Sequence, residues 1–335
     1  MIRQMVTRRG YGRRALGTVC LAAAVLGAAL AGDVRAQGDY PTRPIRFVIP
    51  FSAGGIADIL SRIVGAELSK RLGQEVLIEN QPGAFGIVAA RGVLAQAPDG
   101  YTVTLLANGT ATSVSLTKLP FDPVNDFVPI SRIGAFDHLL AVNAKSKLRS
   151  LADVVAAASA RPEGLNIGTS AAGTTGSLVG HLFIQRSGIK AILVPHRKTG
   201  ELALGLLRND LDLIVHTYAA VAPAIKDGSV RAIAGTAANR SAVLPTVPTL
   251  KESGLPGFEA SSWNGIFARA GTPKPIVDRL NREINAVLSQ DHVRKRLLDI
   301  GIEPLAGTPE ELHARLREDI ERWRIVIEKA GIKRK

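Results

Sequence analysis

From residue 40 onward the chain alternates short β-branched runs with longer amphipathic stretches, and that alternation confines it to parallel strands joined by crossover helices. Residues 45–49 read as a first strand stopped by Pro50. The stretch 57–72 then places Ile59, Leu60, Ile63, Val64, Leu68 and Leu72 on one helical face before Gly73 ends it. A strand at 76–78, a helix at 86–94 and a strand at 102–106 complete what reads as half of an open, doubly wound sheet. A second series starts after the strand-like run 139–142. It alternates helices at 151–160, 177–186, 201–207 and 221–226 with strands at 165–168, 191–194, 211–215 and 230–234. The prolines of Leu244-Pro245-Thr246-Val247-Pro248 exclude regular structure there and mark a surface connection.

The tail is helical and has no strands of its own. Thr272-Pro273 opens a helix carrying Ile276, Val277, Leu280, Ile284, Val287 and Leu288. Thr308-Pro309-Glu310-Glu311 is a capping box for a last helix with the stripe Leu312, Leu316, Ile320, Trp323 and Ile327. Such stripes must be buried on an existing layer, so the tail is expected to return to the first set of strands. The expected architecture is α/β, with a discontinuous first lobe (37–137 and 262–335) and an inserted second lobe (138–261). Two crossover strands, near 136–140 and 261–266, join them as a hinge. The length of 335 residues suits two domains, and ligands favour the cleft between such lobes.

The formal net charge of +13 does not signal nucleic-acid binding. Six arginines and one acid, Asp33, fall within residues 1–36, which contribute +5 and leave 36 bases against 28 acids. That segment reads as a cleaved export signal. Its basic start ends at Arg14, an apolar run spans 15–30, and Val34-Arg35-Ala36 presents a small-residue cleavage pattern, with the cut expected before Gln37. The run is too short for the roughly 20 residues that span a bilayer. Thr7-Arg8-Arg9-Gly10-Tyr11 resembles a twin-arginine signal, yet arginine pairs also occur in ordinary leaders, so both export routes stay open. The single cysteine, Cys20, lies in the apolar run without the small residues a lipoprotein needs before it. The mature periplasmic chain therefore has no disulfide or thiolate chemistry.

Two loops carry the strongest chemical signal. Pro50-Phe51-Ser52-Ala53-Gly54-Gly55-Ile56-Ala57-Asp58 turns from the first strand into the first helix, where glycines allow close approach and first-turn amides point outward. This favours an anion. The loop lacks the lysine of a P-loop and the three glycines of a dinucleotide fingerprint. Asp58 is either a helix cap or a ligand contact. The second loop, Gly168-Thr169-Ser170-Ala171-Ala172-Gly173-Thr174-Thr175-Gly176-Ser177, again joins a strand to a helix, and its hydroxyls are expected to add donors. A plain helix cap is the bland alternative for either loop alone.

His196-Arg197-Lys198 is either a cationic wall or a surface turn, with Lys198 assigned to the surface. His216, just past a strand end where open α/β sheets bind ligands, is a ligand contact or a structural histidine. The six histidines show no HExxH and no close ligand pair, so neither metal nor cofactor is expected. No Gly-x-Ser-x-Gly elbow is present. The basic end, 329–335, lacks the aromatic and arginine clustering of a nucleic-acid arm.

Further motifs carry a family resemblance along essentially the whole mature chain. Tyr40-Pro41-Thr42-Arg43-Pro44-Ile45, the Gly54-Gly55 loop, Glu79-Asn80-Gln81-Pro82-Gly83-Ala84 and Ala97-Pro98-Asp99-Gly100-Tyr101-Thr102 occur in order. Leu244-Pro245-Thr246-Val247-Pro248-Thr249, Gly254-Leu255-Pro256-Gly257-Phe258-Glu259, Ser262-Trp263 and Gly271-Thr272-Pro273 follow. At these residues the chain resembles the Bug family, the substrate-binding receptors of tripartite tricarboxylate transporters. The resemblance implies a type II periplasmic-binding-protein fold that closes on a carboxylate and catalyses nothing. It carries ligand contacts onto Ser52, Ala53, Gly54, Gly55 and Asp58 and onto Thr169, Ser170, Gly173, Thr174 and Thr175. His196 and His216 join them as candidates from their positions. The chain departs from the family pattern at Ser52-Ala53, at His196-Arg197-Lys198 and near His216, changes expected to add hydrogen-bonding and positive character to the pocket. The implied partners are a di- or tricarboxylate, aromatic acid or amino acid, and the membrane subunits of a transporter, with the receptor acting as a monomer. A sensor feeding a membrane signalling protein is the alternative, and a hydrolase using Ser52 or a loop threonine is the remote one.

Overall fold

A computed structural model describes residues 40–171, 174–196 and 199–334. The expected leader with Cys20, and also Gly173, Arg197 and Lys198, lie outside the described residues. The first parallel group forms where the β-branched runs predict it: β1 (Ile45–Ile49), β2 (Val76–Asn80) and β3 (Thr102–Ala107), with β1 paired in parallel to both others. Between them run α1 (Ile56–Leu72) and α2 (Ile87–Leu94). Leu60, Ile63, Val64, Leu68 and Leu72 of α1 are buried, whereas Ile59 of the expected stripe is exposed, and Gly73 closes the helix at φ 68° with its amide on the Ser69 carbonyl.

The second parallel group is β5 (Leu165–Ser170), β6 (Ala191–His196) and β7 (Leu213–Thr217), with β5 paired to both others. Its helices are α4 (Leu151–Ser159), α5 (Thr175–Ser187), α6 (Thr199–Leu207) and α7 (Tyr218–Lys226). The groups meet through two antiparallel strands, β4 (Phe127–Asn143) and β9 (Ser261–Arg269), in the strand order β2-β1-β3-β9-β4-β7-β5-β6. The 17-residue β4 is longer than the expected 139–142. Its first part, through Asp137, pairs with β9, and from His138 it pairs with β7 and with β8 (Val230–Gly235).

One helix escaped the periodicity. Asn108–Leu116, here α3, reads Asn-Gly-Thr-Ala-Thr-Ser-Val-Ser-Leu, with no amphipathic stripe and several poor helix formers. Burial of Ala111 and Leu116 holds it, and the hydroxyls of Thr112 and Ser113 bond back to the Gly109 carbonyl at 2.9 and 2.7 Å. The tail comprises α8 (Lys274–Leu288), α9 (Asp291–Asp299) and α10 (Pro309–Lys329), where the sequence suggested two helices. The capping box at α10 forms as expected: Glu311 N–H donates to Thr308 Oγ1, and Thr308 N–H to Glu311 Oε2. The α8 helix packs on α1 and β4, while α10 packs on α3, β4 and also α5. Two tryptophans fix α10 over the strands. Trp323 Nε1 donates to Asn108 Oδ1 at 2.8 Å, and Trp263 Nε1 to the buried Asp319 at 2.7 Å. Pro41–Lys335 forms one compact unit. Among the described residues no helix is long and apolar enough to cross a membrane.

Candidate functional site

Strands β1, β3, β5 and β7 each run at their carboxyl ends into a helix, and the four helix starts border one cleft of about 630 Å³. Ile56 and Ala57 come from α1, Asn108 and Gly109 from α3, Thr175 and Gly176 from α5, and Thr217 from the cap of α7. Phe136 and His138 of β4 and Ser262, Trp263 and Asn264 of β9 complete the wall. Helix starts present unpaired amides and a partial positive charge, so their convergence attracts an anion. No Lys, Arg, Asp or Glu is among the described lining residues. Recognition here falls to backbone amides and neutral side chains. Two other hollows suit a ligand less well. One beside Asp137 and Leu298 encloses only about 30 Å³, room for a water. The other, about 950 Å³ around Asn143–Leu148, is a polar depression where Arg161 and Asp212 already pair at 2.6 Å.

The structure sorts the first loop finely. Ser52, Ala53, Gly54 and Gly55 line the cleft. Gly54 sits at φ 81°, but its amide donates to Asp58 Oδ2 at 2.9 Å and is spent there. The Gly54 amide, expected as an anion donor, is therefore not free to be one. Gly55, the N-cap of α1, has no side-chain cap bond, so the first-turn amides after it face the cleft without a capping side chain. Asp58 is buried and does not line the cleft. Burial works against its charge, yet Arg62 at 3.0 Å, the Gly54 amide and Asn80 hold its pKa below the ordinary carboxylate value. It anchors the loop.

The second loop is also more committed than its hydroxyls suggest. Thr169 is fully buried on the far side of β5, with Oγ1 donating to the Ser170 carbonyl, and it does not reach the cleft. Ser170 and Thr174 line the cleft, but their hydroxyls bond each other at 2.6 Å, and Thr174 Oγ1 also donates to the Ala171 carbonyl and caps α5 through Ser177 N–H. A hydroxyl has one proton, so neither is a spare donor. Thr175 is different: its Oγ1 receives only a long 3.5 Å contact from Asn108 Nδ2, and its own proton has no acceptor among the described residues. Gly176 lies so close to Ser170 Oγ that a Cβ there would stand at 2.5 Å.

The two candidate histidines separate. His196 is half-buried with Nδ1 at 2.9 Å from the Val194 carbonyl, and it does not line the cleft. His216 does. Its Nδ1 accepts the Thr217 amide at 2.9 Å, which places the proton of the neutral ring on Nε2. Burial lowers its pKa to about 4, so at neutral pH it supplies a donor and no charge, contrary to the expected positive character. Polar residues not singled out from the sequence as ligand contacts also line the cleft, among them Asn108, His138, Thr217, Ser262 and Asn264. Burial, with His216 nearby, lowers the His138 pKa to about 3. The pairing of β4 with β9 brings His138 to Ser262 and Asn264, while Asn108 arrives at the start of α3; of these only Ser262 fell in a motif read from the sequence, and not as a ligand contact.

Comparison with known proteins identifies the family and the fold. Residues 60–332 match the tripartite tricarboxylate transporter family receptor model. Protein BugT of Bordetella pertussis is 33% identical over 311 residues, covering 92% of this chain and 95% of that protein. The solved structure of Rpa4515 from R. palustris with adipate is 34% identical, covers 89% of this chain and 100% of that one, and superposes with a TM-score of 0.74. MatC from Rhodopseudomonas palustris with bound malate is 33% identical, with a TM-score of 0.69 over 86% of this chain and 100% of that one. The periplasmic binding protein BugD is 29% identical, with a TM-score of 0.70 over 88% of this chain and 100% of that one. The mixed α/β fold is thus that of periplasmic binding proteins, and the chain belongs to the tripartite tricarboxylate transporter receptor family, whose members are solute-binding receptors and not enzymes.

Proposed function

We propose that this chain is a periplasmic receptor that captures a small carboxylate between two hinged lobes and hands it to the membrane subunits of a tripartite transporter. The carrying observation is the convergence of four helix starts on one cleft whose described lining has no charged side chain. Such a wall stabilises an anion by dipoles and hydrogen bonds. The related structures that hold adipate and malate support a dicarboxylate as the first class to test. Residues 37–137 with 262–335 form one lobe and 138–261 the other. The β4 and β9 strands are the two segments that pass between them, which is the hinge of a type II binding fold. Relatives of periplasmic type support export behind a leader cut before Gln37. In this reading Ser52, Gly55, Thr175 and His216 touch the ligand, Gly54, Asp58, Ser170 and Thr174 shape the loops, and Thr169 and His196 stand outside.

The test is calorimetric titration and thermal melting of protein starting near Gln37 with adipate, malate, aromatic acids and amino acids. A ligand that binds only the native state adds about 2.7 kcal/mol at 100 times its Kd. A saturable rise in Tm of roughly 5 °C, with the ligand recovered unchanged, is expected. Turnover, or no stabilisation by any carboxylate, overturns the proposal.

A further inference from the structure

Strand β4 changes partners over a very short stretch. On the edge that β9 leaves free, Ala135 and Glu303 exchange both backbone hydrogen bonds, at 2.9 and 2.8 Å. From His138, which pairs with Thr217, that edge belongs to β7. Only Phe136 and Asp137 lie between the two. In the two-lobe reading Glu303 belongs to the first lobe and Thr217 to the second, so bending β4 at this point must change the gap between them.

That gap is filled. Tyr218 follows Thr217 as the first residue of α7, and Gly301 stands two residues before Glu303. Gly301 has φ 76°, and a Cβ built on it would lie 2.8 Å from Tyr218 Cδ1, so the ring rests directly on the glycine backbone. The contact sits behind the hinge. Phe136 and His138 border the cleft, whereas Ala135 and Asp137, on the other face of the strand, do not. Tyr218 and Gly301 are likewise absent from the cleft and border the rear hollow of about 30 Å³ beside Asp137. The front is wide by comparison. Its 630 Å³ would hold roughly twenty waters, more than a small dicarboxylate displaces. The bond across it, from Asn108 Nδ2 to Thr175 Oγ1, is stretched to 3.5 Å.

We infer that Tyr218 packed on Gly301 is a stop behind the hinge, which holds the cleft open in the absence of ligand and parts as the lobes close on one. Tyr218 is then a positioning residue. It touches no ligand, yet it sets the fraction of protein in the closed, binding-competent form, and the apparent Kd varies inversely with that fraction. This rests on the two-lobe receptor reading and adds the contact that tunes its affinity.

Protein beginning at Gln37 contains no cysteine, which permits a reversible test. The 3.7 Å between Tyr218 Cβ and a Cβ on Gly301 is within disulfide range, so Tyr218→Cys combined with Gly301→Cys can be locked and released in one protein, with any strain at residue 301 common to both states. Both forms are titrated with adipate and malate, the ligands of the related structures. The oxidised form is expected to bind about tenfold or more weakly than the reduced form. Tyr218→Ala is expected to bind about threefold or more tightly than wild type, and its ligand-free radius of gyration, from small-angle scattering, is expected to fall toward that of the saturated wild type. Tyr218→Phe keeps the ring and is expected to keep the wild-type values. Plain packing predicts a lower Tm in Tyr218→Ala with affinity and scattering unchanged, and equal affinity in the two redox states; that result overturns the stop. So does tighter binding in the oxidised form, which would assign the contact to the closed state. If neither acid binds any form, the dicarboxylate reading loses its support, and scattering alone judges the stop: a ligand-free Tyr218→Ala with the wild-type radius overturns it.

Discussion

Gly55 offers a test of backbone recognition that touches no existing side chain. Its φ of −78° and ψ of 167° suit any residue, and an added Cβ would meet only the Ser52 carbonyl at 3.5 Å. Gly55→Val is therefore expected to fold normally and yet bind the ligand about tenfold or more weakly, because the branched side chain stands over the first-turn amides. Gly54, at φ 81°, is a poor choice for the same experiment, since a side chain there strains the backbone by about 1–2 kcal/mol whatever happens to binding. The threonines of the second loop divide similarly. Thr175→Ala removes a hydroxyl with a spare proton and is expected to cost binding about 1.5–3 kcal/mol if that proton meets a carboxylate. Thr174→Ala removes a cap and a loop bond, so its effect of about 1 kcal/mol is expected in stability. Titration and melting of the two variants side by side check the division. Equal losses of affinity in both would refute it.

Among the elements, β4 carries the sharpest electrostatic feature at the point where it leaves β9. Asp137 is pushed up to about 6 by burial, and Glu303 and Glu259 add to the shift against the opposing pull of Ser261 and Arg315. A carboxyl whose folded pKa exceeds its unfolded one favours the folded state while protonated, and that contribution is lost as pH rises from about 4 through about 6. The ionised side chain then costs up to about 3 kcal/mol at neutral pH. Asp137→Asn is expected to raise Tm at pH 7 by a few degrees and to change it little at pH 4. Denaturation curves at the two pH values read this directly, and an equal shift at both would remove the electrostatic cause. The α10 helix acts at longer range. Through Trp323 it fixes the carbonyl of Asn108, which leaves the amide nitrogen of that residue turned toward Thr175 across the cleft.

At the scale of the whole molecule, the charge of +13 is uneven, and the basic leader is expected to be absent from the mature protein. N-terminal sequencing of protein from its native compartment is expected to begin at or within a few residues of Gln37. Functional protein that retains Met1 would exclude that maturation. The sequence by itself determined what depends on near neighbours. The α/β alternation, the first helix with its glycine stop, the capping box of α10 and the two glycine-containing loops at helix starts were all legible, because hydrophobic period and turn chemistry act over a few residues. The helix α3 was not legible, since its residues are poor helix formers that burial holds in place. Nor were the spent amide of Gly54, the internal bonding of Ser170 and Thr174, the placement of Thr169 and His196 away from the cleft, or the neutral tautomer of His216. Which hydroxyl keeps a proton to give, and which donor lacks a partner, depends on atoms that other elements bring within 3 Å or so. His138 lies far from Ser262 and Asn264 along the chain, and only the antiparallel register of β4 with β9 brings them to one wall of the cleft.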